Sequence, residues 1–101
     1  MGENLACERL QRQGWHILHR NWRSSPYEVD IIAIMGSVLA FVEVKSSRSL
    51  RHAEPARQVK YQKFLNLSKA AYRMQMEEKR FNGLPTLGGF LETGQPWSRI
   101  A

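Results

Sequence analysis

A chain of 101 residues, 43% apolar and 24% charged, has the size and balance of one ordinary globular domain, which excludes a disordered or fibrous chain. Its 15 Lys and Arg against 9 Asp and Glu leave a net charge of +6, a bias toward polyanions such as nucleic acid. Cys7 is the single cysteine, so an internal disulfide is excluded. With no apolar run of ~18 residues and no signal-like apolar start, the protein is expected in the cytoplasm and away from the membrane.

Residues 2–13 have helical spacing, with Leu5, Ala6 and Leu10 separated by polar positions, Glu3 in the first turn and Gly14 as a stop. "WHILHRN" (15–21) alternates as a strand does, and "RSSPY" (23–27) reads as a turn or loop because Pro26 disfavours helix before it. "EVDIIAIM" and "VLAFVEV" are β-branched, apolar runs either side of Gly36-Ser37, a pair suited to a two-residue II′ hairpin turn.

That turn predicts a register. With Met35 opposite Val38, Ile32 faces Phe41, Asp30 faces Glu43 and Glu28 faces Lys45. Ile32, Ile34, Leu39 and Phe41 then share one face, and Ile31, Ala33, Val38, Ala40, Val42 and Val44 the other. Both faces are apolar, so these strands are expected inside a sheet covered on both sides.

"SSRSLRHAEPARQ" (46–58) reads as a loop leading into a helix from Ala56 to about Lys79. Val59, Phe64, Leu67, Ala71 and Met74 would form its core stripe, flanked by Leu65 and Tyr72, and Arg57, Lys60, Lys63, Lys69 and Arg73 a basic outer surface. Beyond Phe81 the chain is rich in Gly and Pro; a short strand is expected around residues 86–91, with Trp97 and Ile100 docking on the core. The whole chain, 1–101, reads as a single α/β domain with a mixed central β-sheet flanked by helices, in the order α-β-β-β-α-β.

Three ionisable residues, Asp30, Glu43 and Lys45, fall inside the most apolar strands, where an unpaired charge costs several kcal/mol. A divalent ion between Asp30 and Glu43 would compensate them, since carboxylates on adjacent strands, a backbone carbonyl and waters are the hard oxygen ligands that Mg²⁺ prefers, with Mn²⁺ as a substitute. Lys45, two positions beyond Glu43, projects from the same face and could hold an attacking water or stabilise charge on a phosphate. An Asp followed by Glu-x-Lys is thus suited to phosphodiester hydrolysis.

"VDIIA" followed by "FVEVK" resembles the Asp…(Asp/Glu)-x-Lys signature of the restriction-endonuclease-like superfamily. "GENLA", "GWHILHRNWR", "EVDIIA", "LAFVEVKSSRS" and "KYQKFL" are similar to successive landmarks of the bacterial YraN family, related to archaeal Holliday-junction resolvases. The resemblance covers residues 2 to about 74. It implies a restriction-endonuclease-like core, metal ligation by Asp30, Glu43 and the Val44 carbonyl, a catalytic Lys45, and Glu3 on the first helix near the metal. Glu28 and Gln62 also sit at landmarks. The chain departs from the family pattern at Pro26-Tyr27, at the Met35-Gly36-Ser37 hairpin tip, and at Arg80-Phe81-Asn82, where the family's last strand usually reads Arg-Phe-Asp.

The expected function is metal-dependent cleavage of DNA, with branched or junction DNA as the substrate by analogy. Arg23, Arg48, Arg51, Lys60, Gln62 and Lys63 are the candidates for the nucleic-acid surface, because phosphate contacts position a strand without reading its bases. Cutting a four-way junction symmetrically would need a homodimer. The alternative is a non-catalytic nucleic-acid-binding module of the same fold. His16, His19 and Cys7 match no zinc spacing, and Trp15, Trp22 and Tyr72 are expected in the core or an interface.

Overall fold

The computed structural model describes residues 2–46 and 56–93 and, within them, the side chains of 2–45 and 62–91. Its elements are α1 (Gly2–Arg12), β1 (His16–Ser24), β2 (Tyr27–Met35), β3 (Val38–Ser46), α2 (Ala56–Glu77), a 3₁₀ turn (Lys79–Phe81) and β4 (Thr86–Thr93). Among the described residues the strands form one four-stranded sheet in sequence order. β1, β2 and β3 are antiparallel, while β4 runs parallel to β3, so α2 is the crossover between them. No helix among the described residues is long and apolar enough to cross a membrane.

Gly14 ends α1 as its position predicts. At φ +101° it lets the Trp15 amide reach back to the Leu10 carbonyl at 3.0 Å and its own amide donate to Gln11 at 3.0 Å, a Schellman cap. Leu10 and Trp15 accordingly pack in the same core layer. The hairpin tip also forms as expected: Gly36 has φ +61° and Ser37 a negative φ, the II′ combination, and Met35 pairs with Val38.

The predicted register holds from Met35 opposite Val38 to Ile31 opposite Val42. Its parity divides the core in two. Ile32, Leu39 and Phe41 face α2 with Trp22, Leu67, Ala70, Ala71 and Met74, whereas Ile31, Ala33, Ala40 and Val42 face α1 with Ala6, Cys7, Leu10 and Leu91. β2 and β3 are thus covered on both sides, which explains their near-continuous apolar sequence.

Several expectations change. The "RSSPY" loop contracts to Ser25-Pro26, joined by a cis peptide, because β1 and β2 pair right up to Ser24 and Tyr27. Arg80 and Phe81 lie in the 3₁₀ turn instead of a strand: Phe81 is buried under α2, and Gln75 Nε2 donates to the Phe81 and Leu84 carbonyls, each at 2.9 Å, pinning the connection. The last strand is β4, where the Thr86 region was expected, and it extends two residues further, to Thr93. On α2, Phe64 is 43% exposed and Tyr72 69% exposed, so neither completes the core stripe. Phe64 covers Gly88 at the sheet edge, where a Cβ would sit 3.4 Å from its ring, and the outer side of the ring stays open. Trp97 and Ile100 lie outside the described residues.

Candidate active site

The β1–β2 ladder, whose register shifts between Ile17 and His19, skips the Asn21–Asp30 pair, and the β2–β3 ladder ends one residue before Asp30, at Ile31 and Val42. Val29 and Ile31, two apart and expected on one face, are buried in opposite layers, Val29 toward α2 and Ile31 toward α1. On the neighbouring strand Asn21 takes a left-handed φ of +52°, a conformation Asn tolerates better than most residues. The reversal sends the Asp30 carboxylate toward β3, where its Oδ2 accepts the Val44 amide at 2.8 Å. No β2–β3 pair beyond Ile31 and Val42 is formed, so the strands fork here and the side chain replaces the missing backbone acceptor.

Glu43 lies inside this fork, half-buried, with its carboxyl hydrogen-bonded to that of Asp30. Lys45, on the same side of β3, has its ammonium 5.4 Å from the centre of the Phe90 ring. Lys63, from α2, joins both: its amine is hydrogen-bonded to Lys45, and its charge acts on Glu43. The fork therefore holds two acids and two amines.

The protonation equilibria separate this cluster from a structural ion pair. Burial first, then the Asp30 charge and the Asp30 hydrogen bond, push Glu43 up from 4.5 to about 7. Burial first, then the hydrogen bond and charge of Lys63, push Lys45 down from 10.5 to about 8. A simple Glu–Lys pair would move each group toward its charged form. Here both move toward neutrality, as at sites that handle protons or await a further charge.

The donor set fits a hard divalent cation that keeps several waters. Two carboxylates already in contact are what Mg²⁺ needs from a protein when phosphate and water complete its shell. A cation held between them would offset the Asp30 charge that helps raise the Glu43 pKa. Val44 enters through the amide that fixes Asp30.

Glu43 and Lys63 also line an open cleft of about 240 Å³ with Pro26, Tyr27, Glu28, Asn66 and Leu67. Sequence reasoning put Lys63 on the basic outer surface, but its spacing carries a signal that it belongs here. It stands one turn before Leu67 on the stripe continued by Ala70, Ala71 and Met74, a lysine where a core residue would be expected.

The remaining candidates lie elsewhere. Glu3 Oε1 is 3.6 Å from Arg20 Nη2, and among the described residues no three His, Cys, Asp or Glu side chains come close enough to share a metal, so Glu3 adds no third carboxylate to the pair. Glu28 pairs with Arg23 at 3.2 Å instead of Lys45, because past the fork β2 stays registered with β1 and not with β3. Arg23 is thereby engaged at the rim of the cleft. Gln62 is exposed, with its Nε2 3.4 Å from Asn66 Oδ1. Arg48 and Arg51 lie outside the described residues, as does the Lys60 side chain. His19 Nε2 is 2.7 Å from Glu78 Oε2, and Cys7 is buried among apolar neighbours that push its thiol pKa up.

Comparison with known proteins gives one consistent match. The model of the uncharacterised protein family UPF0102 matches residues 2–84. A UPF0102 protein of Caldicellulosiruptor saccharolyticus is 41% identical over 81 residues, covering 80% of this chain and 69% of the relative. One from Thermotoga neapolitana is also 41% identical over 81 residues, with 80% and 73% covered. One from Chlorobaculum parvum is 37% identical over 97 residues, with 90% and 75% covered. The span matched by the family model includes the fork and the whole of α2.

Proposed function

We propose, for a chain that belongs to the UPF0102 family, that it is a metal-dependent endonuclease of the restriction-endonuclease-like kind that hydrolyses DNA phosphodiesters, with branched DNA as the substrate class. The observation that carries this reading is the fork itself: Glu43 lies against Asp30 with its carboxyl pushed toward the protonated form, and Lys45 beside them has its pKa pushed down by burial and Lys63. An ordinary sheet has no use for such an arrangement, and it is costly to maintain.

In this reading Asp30 and Glu43 would hold the cation, with the Val44 carbonyl as the backbone ligand the family resemblance implies. The bound Mg²⁺ supplies charge to polarise the phosphoryl oxygen and to acidify water. Asp30 is oriented for its part by the Val44 amide. Lys45, with a pKa of about 8, has a neutral fraction at physiological pH that can accept a proton from the attacking water. Lys63 lines the cleft from the helix side, where its side chain can face the phosphate. A net charge of +6 concentrates DNA at the surface, and the cytoplasm is the compartment where the two meet. Symmetric cutting of a four-way junction would require two copies related by a two-fold axis.

The test is Mg²⁺-dependent nicking of end-labelled branched DNA. Loss of cleavage in both Asp30→Ala and Lys45→Ala, with DNA binding retained, supports the nuclease. Binding that survives both substitutions while the parent cuts nothing under Mg²⁺ or Mn²⁺ would favour the non-catalytic module.

A further inference from the structure

We infer that a second cleft, next to the first, holds an unpaired nucleotide of the bound strand, an assignment that rests on the nucleic-acid reading above for the identity of that strand. The cleft, about 390 Å³, is lined by Tyr27, Ser68, Lys69, Tyr72 and Arg73, the size of a small-molecule pocket. Tyr27 lines both clefts, so the two meet at its ring.

Three features make it a stacking site with a phosphate contact. Tyr72 is 69% exposed on α2, the most of the large apolar or aromatic side chains among the described residues, with Met76 next at 50%, so its ring is open to a planar ligand. Ser68, Lys69 and Arg73 stand three or four residues from one another or from Tyr72, hence on one helix face. Lys69 is exposed beside the ring and suited to a phosphate.

The opposite wall is rigid. Arg73 Nη1 donates to Ser24 Oγ at 3.2 Å and to the Ser25 carbonyl at 3.1 Å, with its guanidinium 5.3 Å from the centre of the Tyr27 ring. Ser24 Oγ in turn donates to Glu77 at 2.6 Å. Arg73 is therefore a positioning residue for Tyr27, and Tyr72 and Lys69 are the contacts left for a ligand.

Chemistry selects the kind of nucleotide. Paired bases are already stacked on their neighbours and offer no free face to a tyrosine on a helix, whereas a flap, gap or branch point does. From Lys63 to Tyr72 α2 rises about 13 Å, which a strand crosses in a few nucleotides. Lys63 and Tyr72 stand on opposite sides of the helix, so a strand with a phosphate at Lys63 reaches Tyr72 around α2 by way of Tyr27 and Lys69, which line the second cleft.

Fluorescence polarisation without metal, with a labelled oligothymidylate and a blunt duplex of equal length, tests this apart from any cleavage. Tyr72→Ala should weaken single-strand binding by about tenfold and leave the duplex unchanged, Tyr72→Phe should restore it, and Lys69→Ala should reduce the salt slope on the single strand by about 0.7. Unchanged melting of Tyr72→Ala excludes a folding defect. If Tyr72→Ala binds single strands like the parent, or weakens both DNAs equally, the inference falls, even if the protein is a nuclease. If no metal supports cleavage but the single-strand loss is seen, the cleft stands and the hydrolytic reading alone fails.

Discussion

The Asp30 carboxylate and the Val44 amide stand 2.8 Å apart, so a side chain supplies the acceptor that β2 backbone would supply in a regular ladder. This gives Asp30 two duties, closing the fork and facing Glu43, and they separate by substitution. Asp30→Ala strands a half-buried amide and should cost about 1–3 kcal/mol, lowering the melting temperature by about 5 °C or more. Asp30→Asn keeps an acceptor for Val44 and should melt within a few degrees of the parent. Both should lose metal-dependent cleavage, so calorimetry beside a nicking assay tells the two duties apart.

The Glu43 carboxyl holds its proton more tightly in the folded chain than in the unfolded one, at about 7 against 4.5. The stability this contributes is complete below about pH 4.5 and is lost as pH rises through about 7. Glu43→Gln should therefore be more stable than the parent at pH 8 and indistinguishable from it near pH 4. A shift of this size would be worth roughly 3 kcal/mol or slightly more for a sealed group, and solvent at this half-buried carboxyl reduces the expected gain to about 1 kcal/mol. Urea titrations at the two pH values decide it, and a Gln variant less stable at pH 8 would mark Glu43 as half of a structural ion pair.

Those two residues also show where sequence reasoning reaches and where it stops. Gly36-Ser37 specifies a turn whose parity assigns every apolar residue from Ile31 to Val42 to its correct core layer, because side-chain alternation propagates without error along a regular ladder. Asp30 near Glu43 follows from the same counting only as neighbourhood, since the ladder ends at Ile31 and Val42 and the two meet across the fork and not as the register pair expected. Glu28 beside Lys45 does not, because the facing reverses at Asp30 and Asn21, a local backbone event with no period to detect. Asn21 is the one hint, being a residue that accepts φ > 0. Lys63 was legible as an interruption of an apolar stripe, but only if the stripe was taken through Ala70 and Leu67 instead of Val59 and Phe64. Tyr72 is open because it stands on the side of α2 opposite the buried Leu67, Ala70 and Met74, a placement that follows from the helical period.

Gly14 must keep a positive φ for Trp15 to cap α1 and enter the layer behind Ile31 and Ala33. Alanine there meets backbone strain at φ +101°, and its Cβ would lie 3.4 Å from Met35 Sδ. Gly14→Ala should cost about 1–3 kcal/mol in denaturant titration. Cleavage at temperatures well below its melting point should be unchanged, since α1 packs on the sheet face away from the fork.

Ligation of a cation by Glu43 requires loss of the proton that its raised pKa retains. Mn²⁺ binding in the absence of DNA should weaken about tenfold for each pH unit below about 7 and level off above it. Titration calorimetry at pH 6 in buffers of different ionisation enthalpy should show about one proton released per ion bound. Release of none would mean that the ion sits elsewhere.

If Lys45 accepts a proton from water, cleavage should rise with pH toward a plateau near its pKa of about 8. Burial depresses that value most, and the hydrogen bond and charge of Lys63 add to it. Lys63→Ala removes the second contribution and leaves the first, so the Lys45 pKa climbs and the plateau moves to higher pH. At pH 7 the variant should be slower than the parent, and at pH 9 the difference should narrow to whatever Lys63 contributes by touching phosphate. Lys45→Ala should instead lose about 10²–10⁴-fold at every pH with no recovery at the alkaline end. A Lys63→Ala profile parallel to the parent's would show that Lys63 binds substrate without tuning its neighbour.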